Sequence, residues 1–279
     1  MRKIFVIFIA IFTIMPCSFG QQAFGQQRRT ANRILEEGIL LYRLEKASWH
    51  STRFFLDNFP HKTDFIGGYV SYPKGNSQVV TVFFDRDNPS RILARFEFDG
   101  IQQNPARIDT LNQTASSEEM DLITLRLDAV QRVFGDESGF FRFYETTNFN
   151  FIPLIENRTR RVFILTAPLI PNLVLIGNDY LLTYNRRNEF VRKERLHNSL
   201  LQFQGKSGDP ENPITSTFHS HVLSDLITST DIATLLLYRD FVEWNYHSVI
   251  SRRYVSIFNL QTGNLTIMRR RDWDRINRR

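Results

Sequence analysis

The chain predicts an α+β fold: a smaller N-terminal α+β module followed by a C-terminal half built on a mixed sheet. Three observations predict it. Residues 28–59 carry apolar positions at helical spacing and are followed by a strand hairpin and a capped helix. Short β-rich runs then crowd between residues 161 and 221. Finally, residues 231–242 are apolar around most of a helix's circumference, so this helix should be buried before a closing hairpin.

In the N-terminal module, Ile34, Leu35, Leu41 and Leu44 line one side of the first helix, while Glu36, Glu37, Arg43, Glu45 and Lys46 can face solvent. Residues 79–84 and 91–98 read as paired strands across the turn-forming stretch 85–90. Ser116 or Ser117 then caps a helix with Glu118, Glu119 and Asp121 in its first turn, where the helix dipole favours acids, and Gly135 ends it. The C-terminal half supplies strands over 161–166, 173–176, 180–184, 189–196, 199–203 and 215–221. Gly177-Asn178-Asp179 interrupts two of them, a pattern that marks a bulge or turn. Residues 254–258 and 264–268 form the closing hairpin over Gln261-Thr262-Gly263.

The N-terminus reads as an export signal. Arg2 and Lys3 precede the apolar run 4–15, which matches a signal-peptide core and is too short to span a bilayer. Cleavage after Gly20 gives the organisation 1–20 signal peptide, 21–139 N-terminal module, and 140–279 C-terminal domain with a basic tail. The expected location is periplasmic or extracellular, without a transmembrane anchor in the mature chain. Cleavage would also remove Cys17, the single cysteine of the chain, leaving no disulfide, thiolate ligand or cysteine nucleophile. The net charge of +6 is concentrated near the C-terminus, in Arg269-Arg270-Arg271, Arg275, Arg278 and Arg279. Behind an export signal this reads as a solvated tail, and nucleic acid is not an expected partner. Trp49, Trp244 and Trp273, with 25 phenylalanines, point to an aromatic core.

The chemistry is concentrated in Phe218-His219-Ser220-His221 and Thr228-Ser229-Thr230-Asp231. Histidines one residue apart project from one face of a strand. A carboxylate brought in by the next helix would complete a three-ligand set of the kind zinc uses when it keeps a position open. Asp231 also reads as a first-turn acid behind an N-cap at Thr228 or Ser229, a role that needs no metal. His197 and His247 could enter a site or serve as hydrogen-bonded histidines. No phosphate-binding glycine loop, dinucleotide turn, nucleophile elbow or His-Glu-x-x-His helix is present.

The order of strand, His-x-His, loop, Ser/Thr-x-x-Asp, buried helix and hairpin resembles the JAB/MPN (JAMM) metalloprotease family. His219 and His221 match its histidine ligands, Asp231 its third ligand, and Thr228 its hydroxyl position, over a loop one residue shorter than the family pattern. The motif spans residues 219–231, and the arrangement about 161–268. Phe218–His221, Gly177–Tyr180 and Thr228–Ile232 also resemble an uncharacterised family of exported bacterial proteins.

The JAMM resemblance implies a zinc-dependent hydrolase of an amide or isopeptide bond in a peptide or cell-wall-related substrate. In that reading His219, His221 and Asp231 hold zinc, and Thr228 or Ser229 assists the oxyanion. The family's catalytic glutamate begins a core strand. Here the equivalent strand, 173–176, follows Pro171-Asn172 and offers no carboxylate. Glu156, Asp179, Glu189 and Glu194 are the substitutes, with Asp179 foremost because of its place beside the strand irregularity. The alternative is a catalytically inactive envelope protein that keeps the fold as a binding or structural module.

Overall fold

The computed structural model describes residues 18–111, 113–156 and 158–277, with side chains from residue 28 onward. The expected export signal's apolar core and Cys17 lie outside the described residues. Helix α1 (Ser18–Asn58) extends the expected first helix toward the N-terminus. A short 3-10 turn leads to β1 (Ile66–Lys74), β2 (Gln78–Asp85), β3 (Arg91–Asp99), β4 (Arg107–Asp109) and β5 (Gln113–Thr114). They form an antiparallel sheet in the order β1-β2-β3-β4, with β5 also on β3. Helix α2 (Ser117–Phe134) starts at a capping box: Ser116 Oγ accepts from Glu119 N, and the Glu119 carboxylate accepts from Ser116 N.

The second half contains β6 (Thr147–Glu156), β7 (Thr159–Pro168), β8 (Leu173–Gly177), β9 (Tyr180–Tyr184), β10 (Phe190–Arg195), β11 (Leu200–Gln204) and β12 (Ser216–Ser220). Helix α3 (Ser229–Tyr238) follows, then β13 (Tyr246–Ile250), β14 (Tyr254–Asn259), β15 (Leu265–Arg269) and α4 (Arg270–Ile276). Strands β10-β9-β7-β6 form one antiparallel sheet, and β11 pairs with β8. The last sheet runs β12-β13-β14-β15, with β12 parallel to β13 and the other pairs antiparallel. The protein is therefore a mixed α+β structure, as expected.

Strand alternation distributes the core. On β2, Val79 and Phe83 enter the largest apolar cluster with Leu41, Leu44 and Phe55 of α1. Their neighbours Val80, Val82 and Phe84 face the opposite way, toward Leu122 and Ile123 of α2. On β7, Phe163 and Leu165 join the first cluster, whereas Val162 and Ile164 pack with Leu125 and Val133 of α2. Both strands are covered on both faces, which explains their nearly unbroken apolar sequences. The largest cluster also includes Ile232, Leu235 and Trp244, so it draws on both expected parts of the chain.

Helix α3 is buried from Ser229 to Leu237 because α1 and β8 pack around it. Gly38 permits the approach of α1. A Cβ there would lie 2.7 Å from Ile232 Cβ and 2.9 Å from Ser229 O. On α1, the Glu37 carboxylate accepts from Ser229 Oγ at 2.7 Å and pairs with Arg161 of β7. These contacts fix the N-terminus of α3, where the site is built.

Candidate metal centre

Four buried side chains converge beside the N-terminus of α3. One donor atom from each of His197, His219, His221 and Asp231 lies within 4.8 Å of all the others. The β12 pleat sends His219 and, one residue past the strand, His221 to the same side. His197 arrives just after β10. Asp231 is in the first turn of α3 and is fully inaccessible to solvent.

Asp231 serves the helix and the cluster together. Thr228 N and Thr228 Oγ1 donate to its Oδ2 at 2.8 and 2.7 Å, while Asp231 N donates to Thr228 Oγ1 at 3.1 Å. Its Oδ1 has no hydrogen bond and lies 3.0 Å from His197 Nε2 and 3.8 Å from His219 Nε2. His221 Nε2 is 3.3 Å from Oδ2. Ligand atoms at the corners of a zinc tetrahedron stand about 3.3 Å apart, so these separations suit a shared ion.

His219 and His221 are each held by the other ring nitrogen. His219 Nδ1 is 2.7 Å from His247 Nε2, and His247 Nδ1 is 2.8 Å from Thr217 Oγ1. His221 Nδ1 faces Leu226 O at 3.0 Å and Ser224 Oγ at 2.8 Å. His197 Nδ1 faces Asp179 Oδ2 at 3.4 Å. In the neutral tautomers that satisfy these contacts, all three Nε2 lone pairs are left for the centre. His219 Nε2 and His221 Nε2 indeed lack any hydrogen-bond partner. Buried acceptors without partners, aimed at one point, are expensive unless a cation joins them.

The electrostatics agree. Burial pushes His219 down to about 4, against the attraction of Asp231. Burial, reinforced by His219, pushes His247 down to about 3. Both rings are therefore neutral near pH 7, the state a metal ligand needs. Burial would also lower His197, but Asp231 and Asp179 outweigh it and raise the ring to about 10. Burial would raise Asp231, but His197 and His221 hold its carboxyl well below the usual range. Without an ion, a proton on His197 balances the carboxylates. A divalent cation can take its place.

A cavity of about 140 Å³ opens onto His197, His219 and His221, walled by Ile176, Gly177, Leu201 and Leu223. Gly177 has φ +100°, and a Cβ there would meet Ser199 O at 2.2 Å, so only glycine fits this wall.

The remaining expected site residues are placed differently. Asp179 is buried beside His197, with Oδ2 3.4 Å from its Nδ1, accepts from Thr166 N at 3.1 Å, and is not among the residues lining the cavity. Thr228 is at the centre's margin, 3.4 Å from His197 Nε2, with its hydroxyl committed to Asp231. Ser229 is not brought in; its hydroxyl donates to Glu37. Glu156 pairs with Arg161, Glu194 with Arg192, and Glu189 with Asn185; none lines the cavity.

His197 joins the three expected residues as a fourth candidate donor, and hairpin register was the available signal. Strands β9 and β10 pair Tyr180 with Arg195, so the residues just outside the ladder, Asp179 and Leu196-His197, must meet. Leu196 N donates to Asp179 O at 2.9 Å. Among the described residues, no helix is long and apolar enough to cross a membrane. Comparison of the chain with protein-family models, with curated proteins and with solved structures gives no match. What the protein's own geometry supplies is a buried His197, His219, His221 and Asp231 group that could hold a metal ion.

Proposed function

We propose that this chain is a zinc-dependent hydrolase of an amide or isopeptide bond, with a JAB/MPN-like C-terminal half, acting in an exported compartment. The observation that carries the reading is the convergence of unpartnered Nε2 and Oδ1 atoms on one side of a cavity open to small groups. Imidazole nitrogens with one carboxylate form a donor set that zinc favours. Bound zinc would polarise a carbonyl and make water more acidic.

The protein's own groups do the rest. His219, His221 and Asp231 would hold the ion. His247 and Leu226 O fix the ring orientations of His219 and His221. Among the described residues no carboxylate lines the cavity, so His197 replaces the family's glutamate as proton carrier. Asp231 and, on the other side of the ring, Asp179 favour its charged form. The cavity walls supplied by Ile176, Leu201 and Leu223 limit water.

A second reading has its own support: His197 Nε2 is 3.0 Å from Asp231 Oδ1, as close as a fourth ligand would be. The centre would then be closed, and the protein a non-catalytic envelope module. Cobalt-substituted protein separates the two. With an open position, acetohydroxamate changes the visible spectrum, and His197→Ala keeps the metal while abolishing turnover of peptide substrates. With a closed centre, acetohydroxamate has no effect and His197→Ala loses the metal.

A further inference from the structure

Strand β12 carries the His-x-His pair and is also the last strand of its sheet. His221 N donates to Ile250 O, and Asn245 N to Thr215 O, so the odd-numbered residues of this segment turn their backbone groups toward β13. The N–H and C=O groups of Ser216, Phe218 and Ser220 therefore point the other way. All three residues are exposed, and among the described residues no backbone hydrogen bond reaches them from that side. Exposed edges are normally blunted by lysine, proline or a bulge. The β12 sequence Ser-Thr-Phe-His-Ser has none of these, and Phe218 is 64% exposed.

The edge leads into a large groove. At its end, Ser220, His221, Val222 and Leu223 line both the histidine cavity and an open groove of about 1030 Å³. Arg252, Arg253 and Arg270 line the same groove. Arg253 pairs with Asp225, and Arg270 with Asp274. Arg252 is exposed and makes no ion pair among the described residues, so the groove keeps a positive charge that its own acids do not match.

We propose that the substrate is an extended acidic peptide that adds as a further strand to the free edge of β12, with a carboxylate against Arg252. Backbone pairing with Ser216, Phe218 and Ser220 sets its register, and the groove selects the charge. Strand addition brings the peptide past His219 and His221, where its carbonyl meets the cavity. The claim rests on the hydrolase reading only for the fate of the bound peptide; the binding mode stands on the edge and the groove.

Fluorescence anisotropy on the full chain tests it. The probes are a fluorescein-labelled peptide of alternating valine and glutamate, its lysine-for-glutamate counterpart, and the acidic peptide N-methylated at alternate residues. The acidic peptide should bind at least about tenfold more tightly than either of the others. Phe218→Pro removes an outward N–H without touching the β13 ladder, and Arg252→Glu reverses the unmatched charge. Each should weaken binding by about tenfold or more, with circular dichroism and metal content unchanged. Equal binding of all three peptides, no binding of the acidic one, or wild-type affinity in both variants would overturn the proposal. Acidic-peptide binding to a protein that takes up no metal supports the edge while sinking the hydrolase. A metal-loaded protein that ignores the acidic peptide does the reverse.

Discussion

His247 is fully buried and touches no substrate cavity, yet it should control metal affinity. Its Nε2 lies 2.7 Å from His219 Nδ1; in the tautomer in which His219 Nδ1 donates to it, the His219 Nε2 lone pair is left facing Asp231. Replacing the ring with phenylalanine keeps an aromatic of similar volume beside Phe203 and Trp244. It removes the acceptor, so a buried N–H of His219 loses its partner, at a cost of about 1–3 kcal/mol. His219 can escape that cost by moving its proton to Nε2, but this tautomer cannot ligate. Loss of such an orienting partner lowers metal affinity by roughly 10–100-fold, or about 1.4–2.7 kcal/mol. Competitive titration of zinc against a chromophoric chelator reads the change, with circular dichroism as the control for folding. His247→Gln, which restores an acceptor oxygen, should recover part of the affinity. A His247→Phe protein that folds and binds zinc within about twofold of wild type would refute the proposed orientation of His219.

Three other outcomes follow from the same geometry. Zinc uptake at about pH 7.5 should release about one proton, because His197, raised to about 10, must give up its charge beside a divalent ion; calorimetry in buffers of different ionisation enthalpy would contradict this by showing none. In the zinc-free protein, His219 and His247 titrate near 4 and 3, below the ordinary 6.5, so unfolding at pH 5 takes up protons. Stability should then rise between about pH 4 and 6.5, by up to about 2 kcal/mol per pH unit. His197 works in the opposite sense: its contribution is complete below 6.5 and fades as the pH climbs toward 10. A melting temperature flat across this range in chelator would contradict the assignment. Gly38→Ala should destabilise by about 1–3 kcal/mol in denaturant titrations, since the new Cβ would lie 2.7 Å from Ile232 Cβ; an unchanged midpoint would show that α1 can move aside.

The elements with local signatures were legible in the sequence. Ser116 or Ser117 ahead of first-turn acids marked the start of α2, and Thr228 or Ser229 ahead of Asp231 that of α3; the caps are Ser116 and Thr228, each in a capping box. Apolar, β-rich runs identified β2, β7 and β14, and alternation supported β3. Strands β1 and β6 escaped because Gly67, Gly68, Pro73 and Pro153 look like breakers. Both lie at sheet edges, where proline is tolerated. Strand β13 escaped because Tyr246, His247 and Ser248 have no apolar alternation, although it is central to its sheet and supplies the partner of His219. Asp231 was readable both as a helix cap and as a ligand. The structure shows why neither reading excludes the other: Thr228 donates to Oδ2, and Oδ1 remains for His197 and His219. His197 required the β9–β10 register, a pairing between strands that spacing within either strand does not encode.

The most direct test is the metal content of the purified full-length chain, by mass spectrometry, alongside His221→Ala. The account predicts stoichiometric zinc in the wild type and its loss in a variant that retains the wild-type circular dichroism spectrum. A folded wild-type protein that takes up no divalent metal when supplied with it would contradict the claim that these buried histidines and Asp231 form a metal centre.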